Sequence, residues 1–256
     1  MTVNEGFQPV KSAGRALDVL EALAESPGRR SLVELSRDLG IPKSSLHGIL
    51  RTLAYRGWVE TDETGTRFGL GIRALHVGAA YLTADDVVGL VSGALDELSR
   101  RFGETVHLGR LDGAYVVYLA KRESVHPLRL YSAVGRRLPA HATALGKVLL
   151  AQRNDAEDLV TWPLPALTPH TITDRDRFRA ELAIVRERGY AVDREESTEG
   201  IVCFAVALPL RTPPTDAISM SVPVARLAPE REPELVAALR QAAERVGAAR
   251  GLVSNA

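Results

Sequence analysis

Between Ser31 and Gly57 the sequence spells two short helices joined by a tight turn, and few folds accommodate that arrangement. Ser31-Leu32-Val33-Glu34 has capping-box spacing: the serine hydroxyl accepts from the third helical amide, and the glutamate reaches back to the cap amide. Leu32, Leu35 and Leu39 then share one face of a short helix. Gly40 tolerates the left-handed conformation in which helices end. Pro42 suits the first position of a second helix, where its missing amide costs nothing. That second helix is expected from about residue 42 to residue 55, with Leu46, Ile49, Leu50 and Leu53 at core spacing.

The opposite face of the second helix carries Lys43, Ser44, Ser45, His47 and Arg51, basic or small polar groups of the kind that meet phosphates and base edges. A solvated face on an ordinary helix pair has the same composition. The residues after Gly57 tip the balance. Residues 58–61 read as a strand, 62–66 as a turn and 67–70 as a returning strand, the hairpin of a winged helix-turn-helix. Arg67 would place a cation at the base of that wing. Upstream, Ser12 is expected to cap a helix that contributes Ala16, Leu17, Leu20 and Leu23 to the small core.

Charge agrees only locally. The chain balances 32 basic against 32 acidic residues, so no global field draws it to nucleic acid. Residues 26–57 nevertheless hold six cations (Arg29, Arg30, Arg37, Lys43, Arg51, Arg56) against Glu34 and Asp38. That excess suits a protein touching a limited set of phosphates. At 256 residues the chain accommodates two domains. Its single cysteine, Cys203, excludes an internal disulfide framework and fits a reducing cytoplasm. No stretch approaches the roughly 18 apolar residues of a membrane helix. Residues 1–9 read as a disordered lead without a secretory pattern.

Residues 71–82 form an apolar helical stretch rich in small side chains, and Asp85 or Asp86 can cap a further helix reaching residue 102 with Val87, Leu90, Val91, Leu95 and Leu98 on one side. The first of these helices fits burial against a second subunit, or equally an internal core. From residue 103 strands dominate. Residues 104–111 and 114–119 flank Asp112-Gly113, a two-residue hairpin signal, and 128–131 is another candidate strand. Residues 135–147 lead to a helix at 148–151, Thr173 is expected to cap a helix to Arg188, and Gly189 ends it. Strands are expected at 190–193, 201–210 and 217–222, and a closing helix at 229–250. Hairpins with helices between them define an α+β sheet domain with a pocket.

Four blocks now point to a family. Arg15-Ala16-Leu17 opens the first helix, and the run from Leu39 through Gly40, Ile41, Pro42, Lys43 and Ser44 to Ser45 carries the turn. Leu138-Pro139-Ala140-His141-Ala142-Thr143-Ala144-Leu145-Gly146-Lys147 is the most distinctive segment. Gly189-Tyr190-Ala191-Val192-Asp193-Arg194-Glu195-Glu196, with Gly200-Ile201-Val202-Cys203, is the second signature. The chain resembles the IclR family of bacterial transcription regulators from about residue 12 to residue 250.

The resemblance implies an α+β fold: a winged helix-turn-helix domain over residues 10–71, a linker helix over 72–85, and a GAF-like antiparallel-sheet effector-binding domain over 86–256. It implies a ligand-responsive, DNA-binding regulator, taken here as a repressor, without cofactor, metal or catalytic residue. Its partners would be a pseudo-palindromic double-stranded operator, an organic acid or sugar-derived effector, and further copies of itself as a homodimer or homotetramer. By the same resemblance the effector positions are the backbone at Ala144 and Leu145 and the side chains of Asp193, Cys203, Ser219 and Ser221. The unusual turn Arg211-Thr212-Pro213-Pro214-Thr215 bears on the register of the two serines, and Ala144, where small-residue relatives place glycine, narrows the pocket. Amides at the start of the helix after Ala142 would favour an anion. Asp193 suits a ligand hydroxyl, or binds an anion if protonated in a dry site, or else accepts from loop amides as a structural group. His141 reads as a core histidine. The rival reading is an enzyme or thiol sensor using Cys203 with His141 and Asp193, for which no local signature exists.

Overall fold

The computed structural model describes residues 8–130, 132–228 and 230–253, and these fall into two compact units, one ending at Ala84 and one beginning at Asp85. Of the expected lead, residues 1–7 lie outside the described residues, and residues 8 and 9 have no regular structure. Helix α1 (Lys11–Ala24) starts after Val10 without a side-chain cap, so Ser12 lies inside the helix rather than at its boundary. Val19 and Leu23 are buried, with Ala16 and Leu20 packed beside them. Leu17 was expected in this core and is instead 60% exposed. At about 100° per residue the stripe through positions 16, 19, 20 and 23 leaves position 17 pointing away.

A two-residue strand, β1 (Arg30–Ser31), leads into α2 (Leu32–Leu39). The capping box is formed: the Glu34 amide donates to Ser31 Oγ at 3.3 Å, and the Ser31 amide donates to Glu34 Oε2 at 2.6 Å. Gly40 ends α2 at φ 62°, in the left-handed region that favours glycine. Helix α3 (Lys43–Tyr55) buries Leu46, Leu50 and Leu53 against Val19, Leu35, Ile41 and Val59. Strands β2 (Val59–Thr61) and β3 (Arg67–Leu70) pair antiparallel as the wing, and β1, which the sequence did not reveal, adds to the other side of β3. At Gly71 a Cβ would stand 2.4 Å from the Gly57 carbonyl oxygen, so only glycine fits where the chain leaves the wing. Helix α4 (Ile72–Ala84) comes next and buries none of its residues.

The second unit opens with α5 (Asp86–Phe102), capped by Asp85, whose carboxylate accepts from the Val87 amide at 3.0 Å. Strands β4 (Thr105–Asp112) and β5 (Tyr115–Arg122) form a hairpin in which Asp112 pairs with Tyr115, so the two-residue turn is Gly113-Ala114, one residue later than expected. Residues 128–130 are not a strand, and Tyr131 lies outside the described residues. The partner of β5 is instead β6 (Arg137–Pro139), a three-residue strand held by that pairing. Helix α6 (Ala144–Leu150) begins four residues before the expected Val148, because Thr143 caps it by accepting from the Gly146 amide at 3.0 Å. After the short α7 (Ala156–Leu159), α8 (Arg175–Arg188) is capped by Asp174 rather than Thr173, and Gly189 ends it at φ 74°.

Strands β7 (Ala191–Arg194), β8 (Ile201–Ala207) and β9 (Asp216–Pro223) complete a six-stranded antiparallel sheet in the order β6-β5-β4-β9-β8-β7. Helix α9 (Arg231–Val253) closes the unit, and Pro229, its expected start, lies outside the described residues. Alternation along the strands divides the faces. Val148, Leu149, Phe178, Leu182 and Val185 of α6 and α8 pack with Tyr118, Ala205 and Ala217 on one face. Val106, Leu108, Ile218 and Met220 point the opposite way, and α5 and α9 pack on each other and on the sheet.

Candidate functional site

On α3 the residues expected to meet DNA occupy one exposed surface. Lys43, Ser44, Ser45, His47 and Arg51 face solvent while Leu46, Leu50 and Leu53 fill the core behind them. Tyr55, spaced eleven residues from Ser44 and so on the same face, is 92% exposed and escaped the sequence reading. Thr52 is exposed as well, but its hydroxyl is engaged by the Gly48 carbonyl at 2.9 Å. Arg67 is placed differently. Its guanidinium donates to the Arg29 carbonyl at 2.7 Å and lies 3.9 Å from Glu34, which ties the wing to the body of the unit. The wing turn is acidic: Asp62 accepts from the Thr66 and Arg67 amides and the Thr64 hydroxyl, bonds that hold its carboxyl below the usual range.

In the second unit all six expected effector positions border one cavity of about 430 Å³, its open mouth included. The sheet register assembles them. Asp193 pairs with Cys203 and Cys203 with Ser221, while Ala205 pairs with Ser219, so strand alternation turns the serines and the thiol to the same face. The turn at residues 211–215 does not disturb this register. Cys203 Sγ and Ser221 Oγ lie 3.2 Å apart. Ala144 and Leu145 enter from the first turn of α6. Tyr118, Arg136, Thr143, Ser197 and Thr198 also line the cavity and were not anticipated.

The electrostatics of the floor are those of a dry, hydroxyl-rich site. Asp193 is buried, and its Oδ1 accepts from the Glu196 amide at 2.7 Å and the Ser197 amide at 3.2 Å. Burial, reinforced by the Glu196 carboxylate, pushes the Asp193 carboxyl up to about 7. It is at once the anchor of the β7–β8 turn and part of the cavity wall. Behind it the buried Lys147 ammonium donates to Glu196 at 2.5 Å and to Glu181 at 3.1 Å. His107 stacks on Tyr118 with ring centroids 4.3 Å apart, and burial holds its imidazole at about 3, hence neutral. Burial and the neighbouring Asp193 push the Cys203 thiol up, so little thiolate is present for a nucleophilic role. His141 is buried, bonds the Pro165 carbonyl at 3.0 Å and does not border the cavity. Among the described residues no group of His, Cys, Asp and Glu is arranged to hold a metal ion.

Comparison with known proteins assigns both units. The family model for the bacterial transcriptional regulator IclR C-terminal region matches residues 79–248, and that for the IclR helix-turn-helix domain matches residues 12–63. The chain belongs to the IclR family. It is a DNA-binding transcription regulator and not an enzyme. It is 36% identical to the transcriptional regulator KdgR of Escherichia coli over 248 residues, 94% of this chain and 93% of that one. It is 32% identical to the transcriptional repressor IclR of Escherichia coli over 249 residues, 94% of this chain and 90% of the relative. Among solved structures, an IclR transcriptional regulator from Alicyclobacillus acidocaldarius superposes with a TM-score of 0.81 at 27% identity, covering 94% of this chain and 99% of that one.

Proposed function

We propose that this IclR-family member is a cytoplasmic repressor that seats two copies of α3 in successive major grooves of a pseudo-palindromic operator, and that an organic acid or sugar-derived metabolite in the sheet cavity controls that binding. The convergence of six family-derived positions on one hydroxyl-lined cavity carries the reading. The exposed Lys43, Ser44, Ser45, His47 and Arg51 supply the DNA-contacting face, with Arg67 bracing the wing. Similarity to a protein named as a repressor supports the direction of regulation. The functional division runs as a lead over residues 1–9, a winged helix-turn-helix domain over 10–71, a linker helix over 72–85 and a GAF-like effector domain over 86–256.

Effector occupancy acts by shifting the equilibrium between arrangements of the two DNA-binding domains in a dimer or tetramer, which requires unequal effector affinity for those arrangements. Footprinting on genomic fragments tests the scheme. Arg51→Ala weakens operator binding by about 1–3 kcal/mol, the worth of a forked contact to a base edge. Ser221→Ala leaves effector-free binding intact and blunts the response to cell extract. Equal loss of DNA binding in both folded variants would refute the division of labour.

A further inference from the structure

The two elements of the first unit that could meet a nucleic acid carry opposite charge. Toward the C-terminal end of α3, Arg51, Tyr55 and Arg56 are exposed, and Arg73 lies with its stem against Gly57 at the same end. On the wing, Glu60 and Glu63 are exposed and Asp62 is half-buried. We propose that the wing of this protein stays off the DNA and that Tyr55 and Arg56, at the C-terminal end of α3, take its place as the second contact to the sugar-phosphate backbone. This rests on α3 being the recognition helix.

Three observations carry the assignment. First, the donors of the wing turn are satisfied from within. Asp62 Oδ1 accepts from the Thr66 and Arg67 amides, each at 3.0 Å. The Thr64 hydroxyl donates to Asp62 Oδ2 at 2.8 Å and lies 2.7 Å from the Thr66 hydroxyl. A phosphate approaching this turn finds its place held by a carboxylate, with Glu60 and Glu63 adding like charge that opposes it. Neither nearby arginine reverses this: Arg67 is turned to the Arg29 carbonyl and Glu34, and Arg29 lies over Gly69, close enough to offset Asp62. Second, the side chains on α3 are unengaged. Among the described residues Lys43, Arg51, Tyr55 and Arg56 have no side-chain hydrogen-bond or ion-pair partner, whereas Arg30 and Arg37 are paired with Asp38. A tyrosine 92% exposed presents both a ring and an unpaired hydroxyl, the combination enriched where proteins meet partners. Third, the stripe is longer than the groove. Tyr55 lies eleven residues beyond Ser44 on one face, about 16 Å along the axis, and the major groove is about 12 Å wide. With Ser44 over base edges, Tyr55 and Arg56 reach the phosphate wall. There a hydroxyl and a guanidinium fix the orientation of a protein without reading sequence.

Fluorescence anisotropy of the full-length protein on two duplexes tests this: the genomic segment that footprinting recovers, and a mixed-sequence duplex of equal length. Tyr55→Phe should weaken binding to both by about fivefold, the worth of one hydrogen bond, and leave their ratio unchanged. Arg56→Gln should weaken both and lower the slope of log affinity against log salt by about 0.9 for each subunit engaged. Glu63→Gln, at the tip of the wing, should change neither affinity nor slope. Dimethyl sulfate interference should appear at guanine N7, in the major groove, and be absent at adenine N3, in the minor groove. Tyr55, Arg56 and Glu63 are exposed, so all three variants are expected to keep the wild-type melting temperature. Interference at adenine N3 overturns the proposal, as does a changed affinity in Glu63→Gln, an unchanged salt slope in Arg56→Gln, or wild-type binding by Tyr55→Phe. With Arg51→Ala weakened and Tyr55→Phe unaffected, only this assignment fails. With Arg51→Ala binding the genomic segment as tightly as wild type, α3 is not the reader and the recognition scheme falls with it.

Discussion

The Lys147 ammonium lies within 3.1 Å of two carboxylates while only 1% exposed, and Glu196 Oε2 beside it is buried without a hydrogen-bond partner. Removing one member of a buried ionic group strands the others, so Lys147→Met should cost about 3–5 kcal/mol in denaturant unfolding. A loss below about 1 kcal/mol would show that the carboxylates find water instead. Asp193 gives a pH signature. Its carboxyl is raised from an ordinary 3.8 to about 7 in the fold, so the folded chain holds that proton more tightly than the unfolded one. Its contribution to stability is therefore full below about pH 4 and lost as pH climbs to about 7. Asparagine keeps the acceptor for the Glu196 and Ser197 amides but does not titrate. The stability of Asp193→Asn relative to wild type should rise across that interval, and a flat difference rules the account out. Asp193 and Cys203 were named from the sequence because they ride on recognisable signatures, whereas Ser219 and Ser221 lie outside those blocks and were named by family resemblance alone. Tyr118 and Arg136 were not named: they reach the cavity through pairing between β5 and the chain before β6, which leaves no local mark.

Several side-chain caps and glycine stops were readable, although the Thr143 cap of α6 and the Asp174 cap of α8 were missed, and elements defined only by their partners were not readable. Ser31 with Glu34, Gly40, Asp85 and Gly189 each announce a boundary that the structure places where the chemistry demands. At α1 no cap exists, and the start shifted from Ser12 to Lys11. Strands β1 and β6, of two and three residues, exist because β3 and β5 offer free edges, and nothing in their composition distinguishes them from loop. The capping box makes a quantitative test possible. Ser31→Ala deletes the acceptor for the Glu34 amide and should cost about 1 kcal/mol of local stability. Hydrogen exchange on the intact protein should then run about fivefold faster across α2 while α8 is unaffected. An unaltered α2 would mean that Leu35 packing alone fixes the helix.

At the scale of the whole molecule the outstanding demand is α4. Ile72, Leu75, Val77 and Tyr81 are exposed by 69, 67, 50 and 52%, and the helix buries none of its residues. These positions do not form one stripe against a polar back. They surround the helix, and a helix apolar on all sides is stable in water only when something covers it. The proposed dimer would cover it with a second copy of α4, since a two-fold axis lets one patch satisfy itself and would also supply the two recognition helices that the proposed palindromic site requires. Leu75→Glu places a charge in that contact. By sedimentation it should raise the dimer dissociation constant at least tenfold, and it should weaken operator binding in proportion to the dimer lost. Arg51→Ala, by contrast, should weaken operator binding and leave the association state untouched. The two variants thus separate the surface that reads DNA from the one that pairs the readers, and a Leu75→Glu protein that stays dimeric at nanomolar concentration would move the subunit contact elsewhere.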